Sequence, residues 1–400
     1  MSAMLTLEDA QARLLALAPV LPIQNVDVPG TLGRYLAEPL KARRTQPAAH
    51  VSAMDGYAVK GPDLGGPWTI IGESAAGHPF SGTVAGGQAV RISTGALLPA
   101  GADAVIVQED LVRNGDHLSL TGTPPSPPGK HIRLCGSDFG IDTELLSAGT
   151  RIGPAQLALA IAAGHKHLAV RRVPRVAIID SGDELASDPE DCAAHQVPAS
   201  NGAMLAALLA SLPCEVDRIG PVRDDLVLLT DAFHLARDAD IIVTTGGASV
   251  GDHDLIRPAI EAWGGTIDFW KVAIKPGKPL LVATRGSQVV VGLPGNPVSS
   301  QVTALLFLLP LLRAALGAAD PLPRTIDLPL AAPLRAGGDR REFLRGRLVA
   351  GGVEVLTQQD SGALAAMAAA QVLIDHPVQA PRQEAGETVS VILLGNGGIA

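Results

Sequence analysis

The spacing of apolar residues divides the chain into regions of different texture. Leu7, Ala10, Leu14 and Leu17 recur at helical spacing, and Thr6 with Asp9 reads as an N-terminal cap, so a helix is predicted over Thr6–Leu17. From about Thr45 to Asp142 the period shortens. Runs at Trp68–Ile71, Gln88–Ile92, Ala104–Val107 and Leu118–Leu120 alternate with Gly, Pro and Asp, the pattern of a β-rich module. Gln156–Ala163 returns to helix. A regular alternation follows, with strands at Val176–Ile179, Glu215–Ile219 and Ile241–Thr244 and helices at Gly202–Leu212, Asp225–Arg237 and Asp254–Ala262. Strands then cluster at Ile267–Val272, Pro279–Ala283 and Val289–Val291 before a long helix from Pro297. Such alternation predicts a doubly wound parallel sheet, whose ligands lie at the carboxyl ends of the strands. Pro321 and Pro323 mark a linker. Beyond it, Thr325–Leu330, Phe343–Val349, Val353–Leu356 and Thr388–Leu394 read as strands of a small β domain, with one helix at Ala363–Ala370.

The longest apolar stretch, Val302–Leu312, is too short to span a bilayer and reads as a buried helix, so no membrane association is expected. Met1–Asp9 has no basic start followed by an apolar run, so no signal peptide is expected. Cys135, Cys192 and Cys214 are widely spaced and form no CxxC pair, which fits a cytoplasmic location. The length of 400 residues predicts two to four domains. A net charge of −9 and only 11 aromatic residues exclude a nucleic-acid platform.

Composition changes the picture at one point. The chain holds seven lysines, and three of them, Lys271, Lys275 and Lys278, fall within eight residues. Lys271 and Lys275 are four apart, so an extended segment would place both on one face. A cluster of ammonium groups is relieved by an anion. A solvated basic edge strand is the plainer alternative.

The strongest local signal is Thr244–Asp254 (TTGGASVGDHD), between a strand and a helix. Gly246, Gly247 and Gly251 permit close backbone approach, so their N–H groups can form an anion nest. Asp252 and Asp254 offer the hard oxygens that suit Mg²⁺. An ordinary strand-to-helix turn is the alternative. Gly292–Ser299 (GLPGNPVS) forms a second such loop, in which Asn296 reads as a helix cap and Pro297 as a first-turn residue. Acidic groups at Asp180–Leu185 (DSGDEL) and Arg223–Asp225 would converge on the same sheet edge, or would merely cap the following helices. In the β-rich module, Ser52–Ala58 (SAMDGYA) contains a plain Asp-Gly turn signal.

Taken together, SAMDGYA, Arg91–Ala96 (RISTGA), Pro99–Val105 (PAGADAV), Ser181–Leu185, Thr245–Gly251, Ile274–Pro279 (IKPGKP) and Gly292–Pro297 resemble the molybdopterin molybdotransferase family (MoeA type, also the C-terminal domain of gephyrin) over nearly the whole chain. The resemblance implies a multidomain α/β homodimer. Its parts are a doubly wound parallel-sheet, molybdopterin-binding-like domain (1–22 and 173–318), a small linking domain (23–44 and 143–172), a β-rich domain (45–142) and a C-terminal β-barrel-like domain (319–400). It also implies a Mg²⁺-assisted reaction in which molybdate enters the dithiolene of adenylylated molybdopterin and AMP leaves. A molybdopterin adenylyltransferase or a related nucleotide pyrophosphatase on the same domain is the alternative.

Carried across by motif, the active-site groups are Asp55, Thr94, Asp138, Glu184, Asp224, Asp254, Lys271 and Lys275. Gly246, Gly247, Ser249, Gly251, Lys278, Pro294, Gly295, Asn296, Pro297, Arg345 and Ser361 would bind substrate, and Glu184, Asp252 and Asp254 the metal. The implied partners are small anionic substrates, the upstream adenylyltransferase and acceptor molybdoenzymes. The chain departs from the family pattern at Ala199 and Gln371.

Overall fold

The computed structural model describes residues 4–246 and 255–395. Gly247, Ser249, Gly251, Asp252 and Asp254 therefore lie outside the described residues. The first helix runs Leu7–Ala16, and the Thr6 hydroxyl accepts the Asp9 N–H, as its sequence predicts. Strand Ile23–Asp27 pairs antiparallel with His167–Arg171, and helix Pro154–Ala162 packs with this pair in a separate small core.

The central sheet has six strands in the order Glu215–Val222, Arg175–Ser181, Ile241–Thr245, Gln288–Leu293, Leu281–Arg285, Thr266–Trp270. The first four are parallel; Leu281–Arg285 runs antiparallel to both of its neighbours, so Thr266–Trp270 has the same direction as the first four. The expected parallel, doubly wound sheet is present, with one antiparallel strand, Leu281–Arg285, near this edge. Only Gly286 and Ser287 separate strands Leu281–Arg285 and Gln288–Leu293. A link that short can join only antiparallel neighbours.

Residues of the central strands alternate between two cores. Val176, Ile178, Ile241, Val243, Val289 and Val291 enter one core, with helices Leu7–Ala16 and Asn201–Leu209 and the long helix over 297–316. Ala177, Ile179, Ile242 and Val290 enter the other, under helices Leu226–Leu235 and Ile256–Ala262. This two-sided burial is why these strands read as unbroken apolar runs.

The long helix comprises Pro297–Thr303, a π turn at Ala304–Leu308 and Leu309–Leu316, closed by Gly317 at φ 91°. Pro310 lies just beyond the π turn, where its missing N–H disturbs the ladder. The helix is long and apolar enough to cross a membrane, but 78% of that window is buried inside the protein, so it is core.

The β-rich module is a six-stranded sheet in the order Ala104–Val107, Gly56–Val59, Gln88–Ile92, Trp68–Ser74, His117–Leu120, Leu111–Asn114, packed on Tyr57, Trp68 and Ile106. In the C-terminal domain, Arg341–Val349, Val372–His376, Thr388–Leu393 and Ile326–Pro329 pair in turn. Gly352–Val355 joins Arg341–Val349 and closes the barrel through a bridge from Val353 to Leu330. A two-residue strand, Ile274–Lys275, leaves the doubly wound region and pairs in parallel with Arg341 and Glu342 of this domain.

Candidate active site

A cleft of about 1050 Å³ opens at the carboxyl edge of the central sheet. Asp180 and Ser181, Thr245 and Gly246, and Pro294–Pro297 extend from the ends of three adjacent parallel strands to form its floor. One wall carries Glu184 and residues 197–201. Lys275–Pro279 forms another. The C-terminal domain supplies Arg340, Gln359–Gly362 and Leu364.

The floor is packed tightly by its own polar groups. Asp180 is 2% exposed, accepts the Thr245 hydroxyl at 2.8 Å and lies 3.6 Å from the Arg218 guanidinium. The Asn201 amide donates to the Gly295 carbonyl at 2.7 Å. Gly246 has φ 93°, and a Cβ there would meet the Ser181 carbonyl oxygen at 2.4 Å. Asn296 is at the helix start but makes no side-chain cap. Its amide instead donates to Ser361 Oγ at 3.0 Å, joining the sheet loop to the C-terminal domain.

Of the groups singled out in the sequence, the cleft brings together Glu184, Gly246, Lys275, Lys278, Pro294, Gly295, Asn296, Pro297 and Ser361. Others stand elsewhere. Lys271 and Lys275 do not share one extended face. Lys271 turns at φ 82°, and its ammonium rests 4.1 Å from the Trp270 ring centre. Lys275 is drawn instead to Glu342, at 3.2 Å. Asp224 lies off the cleft, where its carboxylate accepts the Asp183 N–H and its own N–H donates to the Asp183 carboxylate, while Asp225 caps the next helix.

Arg345 is fully buried behind the cleft. Its guanidinium donates to the carbonyls of Gln358 and Asp360, so it braces the loop that carries Ser361. Burial pulls its pKa below the ordinary guanidinium value. Asp55, Thr94 and Asp138 are exposed in or beside the β-rich module, away from this cleft. The Thr94 N–H bonds Asp55 at 2.6 Å and holds its carboxyl below the usual range.

Arg340 and Asn201 are cleft residues that the sequence reading missed. Asn201 had a faint signal, lying two residues after Ala199. Arg340 had none, because Arg is frequent in this chain. Ala199 lies on the cleft wall. The Gln371 side chain is occupied structurally, accepting the Leu348 N–H at 2.9 Å.

Glu184 is exposed on the cleft, and its carboxylate has no partner among the described residues, leaving a hard oxygen donor open to a cation. Among the described residues no three carboxylate, histidine or cysteine side chains gather to hold a metal.

Three consecutive family descriptions match this layout. MoeA N-terminal region (domain I and II) covers residues 5–164, the "Probable molybdopterin binding domain" covers 177–314, and MoeA C-terminal region (domain IV) covers 327–394. The chain belongs to the MoeA family. A MoeA-family relative from Mycobacterium tuberculosis, molybdopterin molybdenumtransferase 2, is 34% identical over 376 residues, 90% of this chain and 92% of that one. Another, from Haemophilus influenzae, is 35% identical over 314 residues, 77% of each chain. A solved MoeA structure from Pyrococcus horikoshii superposes over 98% of this chain and all of that one, with a TM-score of 0.84 and 26% identity. The cleft lies between the region matched by the probable molybdopterin binding domain and the region matched by domain IV.

Proposed function

We propose that this chain is a cytoplasmic molybdenum insertase, placing molybdenum from molybdate into the dithiolene of adenylylated molybdopterin and releasing AMP. The observation that carries this reading is one cleft lined by Lys275, Lys278 and Arg340 together with the Gly246 and Gly295 loops and Glu184. Both substrates are anions. Fixed cations and backbone N–H groups stabilise charge that shifts during transfer. Glu184, with Asp252 and Asp254, would hold Mg²⁺, which when bound neutralises phosphate charge. The C-terminal wall favours this function over an adenylyltransferase or pyrophosphatase acting on the central domain alone, because Arg340 and Ser361 come from outside that domain. Incubation with adenylylated molybdopterin, Mg²⁺ and molybdate tests it. AMP and loaded cofactor should appear together.

Lys275→Ala should raise the KM for molybdate about tenfold, with little change in kcat at saturation, since a charge-assisted hydrogen bond is worth roughly 1.5–3 kcal/mol. AMP release titrated against molybdate measures this. An unchanged molybdate response rejects the anion site.

We assign the four-domain division above to this chain, and a two-fold homodimer in which Asp55, Thr94 and Asp138 of one copy reach the cleft of the other. The support is that these groups are exposed and stand outside the cleft of their own chain. Asp55→Ala and Glu184→Ala chains, each inactive alone, should regain about a quarter of wild-type sites after random subunit mixing. No recovery in verified mixed dimers contradicts the arrangement. Handover from the upstream adenylyltransferase and delivery to acceptor molybdoenzymes are transient contacts in this scheme.

A further inference from the structure

One cation of the cleft is set in place from outside the central sheet. Lys275 Nζ lies 3.2 Å from Glu342 Oε1, and Arg335 bonds the other carboxylate oxygen. Glu342 is 4% exposed, whereas the Lys275 and Arg335 side chains are about half exposed. The backbone enforces the same pairing, because Lys275 and Glu342 stand opposite each other where strand Ile274–Lys275 adds to the C-terminal sheet. Burial pushes the Glu342 carboxyl up. Hydrogen bonds and charge from Lys275 and Arg335 more than reverse this, so it stays ionised, below the ordinary range. A buried carboxylate bonded at both oxygens has one orientation. A half-exposed lysine has many, and confining it costs rotamer entropy.

We propose that Glu342 is the positioning residue of the oxyanion site, holding the Lys275 ammonium at the cleft rim from the C-terminal domain so that its other N–H donors are ready for a tetrahedral oxyanion. Glu342 does not line the cleft and is not a ligand itself. Its charge does not cancel the site, because Arg335 offsets it and the three groups together keep one net positive charge. The proposal rests on reading Lys275 as an anion ligand. It adds that the anion affinity of one domain is set by a residue of another.

The experiment compares Glu342→Gln, Lys275→Ala and the double variant. It uses molybdate KM and kcat from AMP release, and molybdate binding by equilibrium dialysis without the pterin substrate. Glu342→Gln should raise KM and Kd about fivefold and leave kcat unchanged, as an exposed-to-buried ion pair allows. The double variant should be no worse than Lys275→Ala alone, because both act through one ammonium. Glu342→Asp keeps the buried charge but shortens its reach by one methylene, so it guards against loss of fold and should show the same split at smaller amplitude. Unchanged molybdate affinity in Glu342→Gln, or additive losses in the double variant, overturns the positioning role while leaving Lys275 as the ligand. Unchanged affinity in Lys275→Ala overturns both readings.

Discussion

Glu184→Ala should fold normally and lose AMP release by about 10²–10³-fold in kcat, the usual cost of removing one electrostatic contributor to a transition state. The side chain is exposed and has no protein partner among the described residues, so stability should change by less than about 0.5 kcal/mol. What it loses is an unpartnered carboxylate on the wall of a cleft that also carries Lys275, Lys278 and Arg340. Gly182 is shaped around it. That residue has φ 150°, and a Cβ there would meet Glu184 Oε2 at 2.5 Å, so the turn leaves room for the carboxylate. Glu184→Gln should be nearly as inactive, because it keeps the shape and removes the charge. Single-turnover AMP release, with thermal unfolding as the control for folding, measures both variants. Wild-type turnover in either removes Glu184 from the chemistry.

The second large effect is expected at Gly246. A methyl group there would come within 2.4 Å of the Ser181 carbonyl oxygen, which is backbone and has no rotamer with which to yield. The φ of 93° is also unfavourable for any residue with a Cβ. Together, strain and overpacking should cost about 2–5 kcal/mol. If the chain still folds, the loop must move outward. A Cβ built on Gly295 would come within 3.4 Å of Gly246 Cα, so the second loop leaves little room beside the first. A misplacement of about 1 Å can cost 10²-fold in rate. Gly246→Ala should therefore lower both the unfolding midpoint and kcat/KM, whereas Gly77→Ala serves as a positive-φ control with open space around it. Equal behaviour of the two variants would show that the contact with Ser181 is not the cause.

Much of the site was legible because its parts are local. Gly246, Gly295 and Pro297 announce themselves by conformational rules that act within one turn of chain, and the parallel strands by apolar runs buried on both faces. Strand Val372–His376 leaves no mark in the sequence pattern. All five of its residues are buried, so no alternation marks it, and it is short enough to pass for the tail of the preceding helix. The apparent equivalence of Lys271 and Lys275 failed for a different reason. Spacing alone cannot show that one ammonium meets an indole ring next to it and the other a carboxylate 67 residues away. Arg345 shows the same limit. Its residue type suits an anion, but the fold seals it behind a loop and gives its Nε and Nη2 donors to backbone carbonyls.

By itself, the sequence determined the main helices and parallel strands of the central domain, the glycine and proline loops at the strand ends and the family, since each depends on residues within a few positions of one another or on ordered motifs. The tertiary structure decided which charges share the cleft. That outcome depends on desolvation and on partners distant in the chain, as when Glu342 captures Lys275, Ser361 captures Asn296 and the C-terminal domain supplies Arg340.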